Sequence, residues 1–240
     1  MIGTILNVAG ILIGGIIGLA RRKPLSAAKE SFFRVLLGAF TVYFGLQLTW
    51  MNLNGTSLQI AKQVVITILA LILGKLTGRL LHLQKMSNRL GQRAREKIMS
   101  ARPDNPNRAG DGFETCALLF CAAPLGILGA VQDGLAGYFY PLALKGLMEG
   151  LATIGFVWVF GRGVLLSALP VLTFQGTITL GCAHFIEPFL RAHGLVNSVE
   201  AVGGLMVFSV ALVILDLKKI ELADYLPSLV MAPLLTWVWR

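Results

Sequence analysis

The sequence predicts an all-α fold: a polytopic helical membrane protein of about eight transmembrane helices, folded as a single transmembrane domain over residues 1–240. Hydrophobic residues make up 55% of the chain and charged residues 14%, and the mean hydropathy is +0.74. A soluble domain is about one quarter charged, because its surface must face water. The apolar residues also form long runs with basic residues clustered between them. These features exclude a soluble enzyme and a free nucleic-acid binder.

Apolar runs of about 20 residues, the length that crosses a bilayer as a helix, define the predicted spans. In chain order they cover 2–20, 33–51, 60–81, 113–131, 141–160, 164–186, 201–217 and 223–239. The last two runs are short and the fourth begins beside Glu114, so six or seven full spans remain an alternative. In the first span Gly10, Gly14 and Gly18 are four residues apart, which is typical of closely packed membrane helices and of helix-mediated homo-oligomers.

The basic residues predict the orientation. The chain has 21 Lys and Arg against 12 Asp and Glu, a formal net charge of +9. Short cytoplasmic loops of membrane proteins carry an excess of Lys and Arg. An outside N-terminus would place loops 21–34 and 75–111, Arg162 and the Lys218–Lys219 pair in the cytoplasm, which together hold most of the basic residues. We therefore predict that the N-terminus lies outside.

The longest polar segment is a basic loop over residues 82–112, predicted to be cytoplasmic. Apolar residues recur in it at three- and four-residue steps among basic side chains, which predicts an amphipathic helix lying on the anionic inner leaflet. The apolar positions are Leu83, Met86, Leu90, Ala94 and Ile98. The polar, proline-containing stretch 102–107 predicts a linker after this helix.

The glycine positions are compatible with an inverted repeat of spans 1–3 and 6–8. A shift of 166 residues places Gly10 on Gly176, Gly15 on Gly181 and Gly38 on Gly204. The two triplets of spans would cross the membrane in opposite senses, as in transporters built from inverted repeats. The alternative is that these glycines serve helix packing alone.

Charged and amide side chains within the apolar stretch 113–150 are the candidate site. An ionisable group in the hydrocarbon is costly and normally faces a partner or a water-filled path. Lys145 and Glu149 are four residues apart, on one helix face, and could pair. Pro124 is expected to bend or break the preceding helix, which would leave Asp133 at a turn.

We predict a substrate site lined by Asp133, Lys145 and Glu149, with Gln132 and Gln175 as polar supports. Two structural alternatives stay open: a solvated turn for Asp133, and a purely structural ion pair for Lys145 and Glu149. No catalytic motif and no Cys or His at metal-ligand spacing is present, so we expect no enzymatic activity, no metal and no cofactor.

The segments LLFCAAPLGILGAVQDGLAG (118–137) and LALKGLMEG (142–150) resemble a bacterial family of uncharacterised multi-pass membrane proteins that includes YqgA and YdfK. The stretches GTILNVAGILIGGIIG, GVLLSALPVLTFQGTITL, AVGGLMVF and KKIELADYLPSLVMAPLL are similar to it as well, so the resemblance covers the whole chain. It implies a bacterial inner-membrane protein of unknown function, and it supplies no substrate.

From the residues we expect passage of a small solute or ion across the lipid bilayer, with no nucleic-acid partner. The alternative is a membrane scaffold or regulatory protein that acts through the basic loop.

Overall fold

The computed structural model describes residues 1–20, 26–102 and 105–239, and throughout them the secondary structure is helical. Four basic residues of the sequence lie outside the described residues: Arg21, Arg22, Lys23 and Arg240. The helices are α1 (Ile2–Ala20), α2 (Ala27–Met51), α3 (Ser57–Leu80), α4 (Leu83–Ser100), α5 (Arg108–Ala122), α6 (Pro124–Ala136), α7 (Tyr140–Phe160), α8 (Ala168–Gly181), α9 (Glu187–Ala192), α10 (Val196–Ile214), α11 (Leu222–Tyr225) and α12 (Ser228–Val238).

The helices bury small and polar residues and expose large apolar ones, the reverse of a soluble protein. On α1 the side chains of Ile5, Ile13 and Ile16 are each more than half exposed. The opposite face of α1 is buried and comprises Gly3, Thr4, Asn7, Ile11, Gly14, Gly15 and Gly18. An apolar exterior around a polar interior requires lipid as the solvent, so the molecule is a polytopic helical membrane protein.

Five helical segments are long and apolar enough to cross a membrane, and the bent α5–α6 pair would be a sixth. One of the five runs for 53 residues, Tyr140–Ala192, and contains α7, a 3₁₀ segment (Gly161–Ser167), α8, a π-helical turn (Cys182–Ile186) and α9. Its two arms are antiparallel because Gly161, with φ +75°, turns the chain at the end of α7. The number of full spans stays a prediction.

Each helix of the first predicted repeat packs antiparallel against its counterpart in the second. On α1 and α8, Thr4 meets Thr179 and Asn7 meets Gln175. α2 packs in the same sense along α10, with approaches of Gly45 to Phe208 and of Gly38 to Leu215 just after α10. α3 does so along α12 and α11, with approaches of Gly74 to Ser228 and of Gly78 to Asp224. A two-fold axis in the membrane plane would pair the helices in this way, and the repeat itself stays a prediction.

Most of the described basic side chains gather at one end of the bundle, termed here the basic end. Ion pairs join neighbouring elements there: Arg34 with Asp216, Arg79 with Glu221, and Lys97 with Glu114. α4 lies at this end, with Ala94 buried and Lys85, Arg89, Arg93 and Arg95 exposed. The other end carries Met1 and the connection between α6 and α7, and is termed the Met1 end.

Candidate functional site

The helical backbone hydrogen bonding is interrupted near the middle of the bundle, where α5 ends and α6 begins. Ala123 is extended, α6 starts at Pro124, and the two helices meet at 59°. In an unbroken helix the N–H of residue 124 would donate to the carbonyl of Phe120, but proline has no N–H. The Phe120 carbonyl is therefore available to another donor inside the protein.

Lys145 on α7 supplies that donor. Its Nζ donates to the Phe120 carbonyl at 2.9 Å and forms an ion pair with Glu149 one turn further along α7. Lys145 and Glu149 are both buried, and Glu149 Oε2 has no hydrogen-bond partner among the described residues. The pairing expected from the four-residue spacing is confirmed.

An amide pair between α1 and α8 adjoins these charges. Asn7 Nδ2 donates to Gln175 Oε1 at 3.0 Å, and both residues are fully buried. A Cβ on Gly126, in the first turn of α6, would lie 3.1 Å from Lys145 Cε and 3.2 Å from Gln175 Nε2. Gln175 Nε2 itself has no partner among the described residues. We call Asn7, Lys145, Glu149, Gln175 and the Phe120 carbonyl the central cluster.

Glycines allow α1 and α7 to approach closely beside the central cluster. A Cβ on Gly10 would lie 2.7 Å from the carbonyl carbon of Gly146, and one on Gly14 would lie 2.6 Å from that of Gly150. The glycines of α1 thus contact α7 of the same chain. This contact occupies the glycine face that was expected to form a homo-oligomer. That oligomer stays a prediction.

A cavity of about 660 Å³ with both polar and apolar lining residues opens at the basic end and reaches the break between α5 and α6. Its lining includes Arg95 from α4, Lys219 from the α10–α11 connection, and Ala122 and Ala123 at the break. These last two residues follow Phe120 by two and three positions. The cavity therefore reaches from the charged surface to residues within one helical turn of Phe120, although Phe120 does not line it.

Asp133 lies apart from the central cluster, toward the Met1 end. It is buried inside α6, so the expected turn position is wrong: α6 restarts at Pro124 and continues to Ala136. Asp133 Oδ2 accepts from the Gly3 N–H at 3.0 Å and lies 3.0 Å from the Met1 amino group. A carboxylate is favourable at this position, the N-terminus of α1.

Gln132 faces a different helix, α10. It is fully buried, and a Cβ on Gly203 would overlap its Nε2. Glu200, three residues before Gly203, is also fully buried. Sequence reasoning missed Glu200 because the predicted seventh span starts at residue 201, whereas α10 starts at Val196. Extending that apolar run by one turn, through Val199, would have found it.

The five predicted residues therefore occupy three places. Lys145, Glu149 and Gln175 meet in the central cluster with Asn7, while Asp133 and Gln132 lie six or seven residues further along α6 than Gly126, or about 10 Å of helix. The lipid-facing apolar exterior and these buried charges define a class: a multi-pass helical membrane protein with ionisable side chains in its interior.

The chain belongs to the family described as "Protein of unknown function (DUF554)", which it matches over residues 2–237. It is 29% identical over 238 residues to "Uncharacterized membrane protein YdfK" of Bacillus subtilis (strain 168), covering 99% of this chain and 96% of that protein. It is 24% identical over 240 residues to "Uncharacterized protein YqgA" of Escherichia coli (strain K12), covering 100% and 97%. No solved structure matches the chain.

Proposed function

We propose that this protein moves a small solute or ion across the bacterial inner membrane, and that the central cluster is its binding site. The observation that carries the proposal is the junction of a buried ion pair with a broken helix. Lys145 forms an ion pair with Glu149 and donates a hydrogen bond to the Phe120 carbonyl, which has no backbone donor because residue 124 is a proline. Discontinuous helices with charged groups near the membrane midplane are a recurring design of transporter binding sites.

A structural ion pair is the weaker explanation. A buried pair contributes little net stability, because removing two charges from water costs about as much as their attraction returns. Two buried atoms beside the pair, Glu149 Oε2 and Gln175 Nε2, also lack partners among the described residues. The free acceptor of Glu149 and the free donor of Gln175 are available to the same region. They would suit a small solute that carries both a donor and an acceptor. Asp133 and Gln132 would then line the route toward the Met1 end.

The mechanism we propose is alternating access about the two-fold axis of the inverted repeats. The cavity at the basic end approaches the central cluster from one side. On the other side, toward the Met1 end, α1 packs closely on α7 and α6: a Cβ on Gly3 would lie 2.8 Å from Leu142 Cβ and 3.2 Å from Asp133 Oδ2. Rocking of α1 with α8 against α6 would close the first route and open the second.

A ligand screen by melting temperature tests the site. The purified protein in detergent would be melted with amino acids, organic acids and inorganic anions, beside Glu149→Gln and Gln175→Leu variants. A ligand that binds only the folded state stabilises it by about 2.7 kcal/mol at a hundred times its Kd. We expect one solute class to give a saturable rise that both variants lose.

The control is Glu221→Gln, because Glu221 is half exposed at the basic end and remote from the central cluster. It should keep the full response. A solute found in this way would then be measured for flux into proteoliposomes. A panel without any saturable response, or a response that Glu149→Gln retains, would overturn the assignment of the site.

The proposed orientation has the Met1 end outside and the basic end in the cytoplasm, following the distribution of Lys and Arg. Single cysteines at Asn54 and Ser100, in a background without Cys116, Cys121 and Cys182, test it with a membrane-impermeant maleimide on spheroplasts. Asn54 lies in the α2–α3 connection and Ser100 ends α4, and both are exposed. Labelling at position 54 and protection at position 100 are expected, and the reverse pattern would invert the topology.

A second candidate function is a scaffold that binds an acidic partner or surface through α4. The exposed row of Lys85, Arg89 and Arg93 supports it, because no described ion pair joins these three side chains to the bundle. Glutamine at all three positions separates the candidates. A scaffold should lose its cellular phenotype, whereas a transporter should keep its ligand response.

A further inference from the structure

A second group of buried polar atoms lies between α6 and α10, outside the central cluster. Glu200 and Gln132 are both 0% exposed. Both carboxyl oxygens of Glu200 and both the oxygen and the nitrogen of the Gln132 amide lack a hydrogen-bond partner among the described residues. Buried polar groups in proteins are nearly always paired, so four such atoms on two facing helices call for an explanation.

The packing of α6 on α10 places Gln132 and Glu200 at the same level of the interface between the two helices. Toward the Met1 end Leu135 shares a hydrophobic cluster with Val199, and toward the basic end Leu128 shares one with Val202. Gln132 lies between the two α6 positions. Glu200 and Gly203 lie one turn apart on a single face of α10. Because a Cβ on Gly203 would overlap Gln132 Nε2, only glycine there lets the amide lie against α10, one turn from Glu200.

Glu200 differs from the other buried carboxylates in having no compensating group. Glu149 pairs with Lys145, Asp133 lies beside the Met1 amino group, and Asp224 accepts from the Gln84 N–H. No described ion pair or hydrogen bond involves Glu200. Two hydroxyls on neighbouring elements are already committed: Tyr138, in the α6–α7 connection, donates to the Phe44 carbonyl at 2.7 Å, and Thr49 on α2 is hydrogen-bonded to the Gly45 and Ala201 carbonyls.

The chemistry of these atoms favours a cation. A carboxylate and an amide carbonyl present three oxygens, which are the ligands of hard cations. An ionised carboxylate in the interior is costly unless it is paired, and a single negative charge is balanced by a single positive one. A proton is the competing explanation, because it would neutralise Glu200 and give the carboxyl a donor for the Gln132 carbonyl; only a cation site predicts a response to Na⁺, Li⁺ or K⁺ at fixed pH.

We propose that Glu200 and Gln132 form a binding site for a small monovalent cation of the Na⁺ class, held between α6 and α10 toward the Met1 end. The Glu200 carboxylate would supply the charge and two oxygens, the Gln132 carbonyl a third, and Gly203 the room for that amide. The site uses none of the residues of the central cluster, although Gln132 also lies on the proposed route toward the Met1 end.

The test is melting of the purified protein in detergent while choline chloride is replaced stepwise by NaCl, LiCl or KCl at constant ionic strength and fixed pH. Constant ionic strength removes general screening, which would affect the pairs at the basic end. We expect a saturable rise of about 5 °C with at least one of these cations, because only the folded protein has the site.

Glu200→Gln removes the charge and keeps the volume. In choline chloride it should melt at or above the unmodified protein, because it no longer buries a carboxylate, and it should lose the cation response. Glu221→Gln is the matched control and should respond like the unmodified protein. If Glu200→Gln does not fold, Gln132→Met is the second variant, and its half-saturating cation concentration should rise.

Two results would overturn the site. One is a melting temperature of the unmodified protein that does not depend on any of the three cations. The other is an unchanged cation response in Glu200→Gln or Gln132→Met. Either result would leave the ligand screen on Glu149 and Gln175 unaffected, so this inference and the transport proposal fail separately.

Discussion

Gly14→Ala should destabilise the protein strongly, because it adds one carbon at the closest approach of α1 and α7. The new Cβ would overlap the carbonyl oxygen of Gly150 and lie 2.6 Å from its carbonyl carbon and 2.7 Å from its Cα. These are backbone atoms and cannot rotate away. Gly155→Ala on α7 is the matched control, since a Cβ there meets nothing within 4 Å.

The size of the effect follows from the geometry. Ordinary van der Waals contact begins at 3.4 Å, so α1 and α7 must separate by about 1 Å at this crossing. Overpacking of this kind costs about 1–3 kcal/mol. Gly155→Ala should instead gain up to about 1 kcal/mol, because alanine favours a helix over glycine. Gly14→Ala has the same helix preference, which cancels in the comparison, so the two alanine variants should differ by about 1–3 kcal/mol.

The assay is thermal or denaturant unfolding of both variants in one detergent. A gap of this size corresponds to roughly 2–12 °C in melting temperature for a chain of this length. A Gly14→Ala protein that melts with the unmodified protein would refute the close approach of α1 and α7. An equal loss in Gly155→Ala would show that any added carbon destabilises these helices, whether or not it meets a neighbouring helix.

Two further predictions concern buried polar contacts. Glu149→Gln leaves Lys145 as an unpaired buried cation and should lower the free energy of unfolding by about 3–5 kcal/mol. The double variant Lys145→Met with Glu149→Leu removes both charges and should lose less. A larger loss in the double variant would contradict the view that the unpaired charge causes the destabilisation. Tyr138→Phe removes the hydrogen bond to the Phe44 carbonyl and should cost about 1 kcal/mol, measured by denaturant unfolding. Tyr43→Phe, at an exposed position, is its control. Equal losses of unfolding free energy in the two variants would show that the Tyr138 hydrogen bond does not stabilise the fold.

The membrane class and the all-helical fold followed from the sequence because both depend on composition and on runs of apolar residues. The Lys145–Glu149 pair was predictable too, since both residues lie on one helix and a four-residue step fixes their common face. Pro124 marked the position of the break for a local reason, the missing N–H.

Contacts between distant segments could not be predicted in the same way. Nothing in the sequence near Asn7 indicates that its amide meets Gln175, 168 residues later. Asp133 looked like a turn residue because it precedes a glycine, yet α6 continues past it. The helix that Gln132 faces could not be predicted either, because the spacing and hydrophobicity of the residues do not show which helices pack against each other.

The pairing of early helices with late ones also constrains how the chain is assembled. α2 packs against α10 and α3 against α12, while α1 finds its partners in α7 and α8, so the first third of the chain is completed only by the last. During synthesis α1 reaches the bilayer with Asn7 and Thr4 still unpaired, and both stay so until α8 has been made. Long-range contacts of this kind form late and leave incomplete surfaces open to wrong partners. The newly inserted N-terminal helices must therefore be sheltered, by lipid or by the insertion machinery, while some 150 further residues are translated.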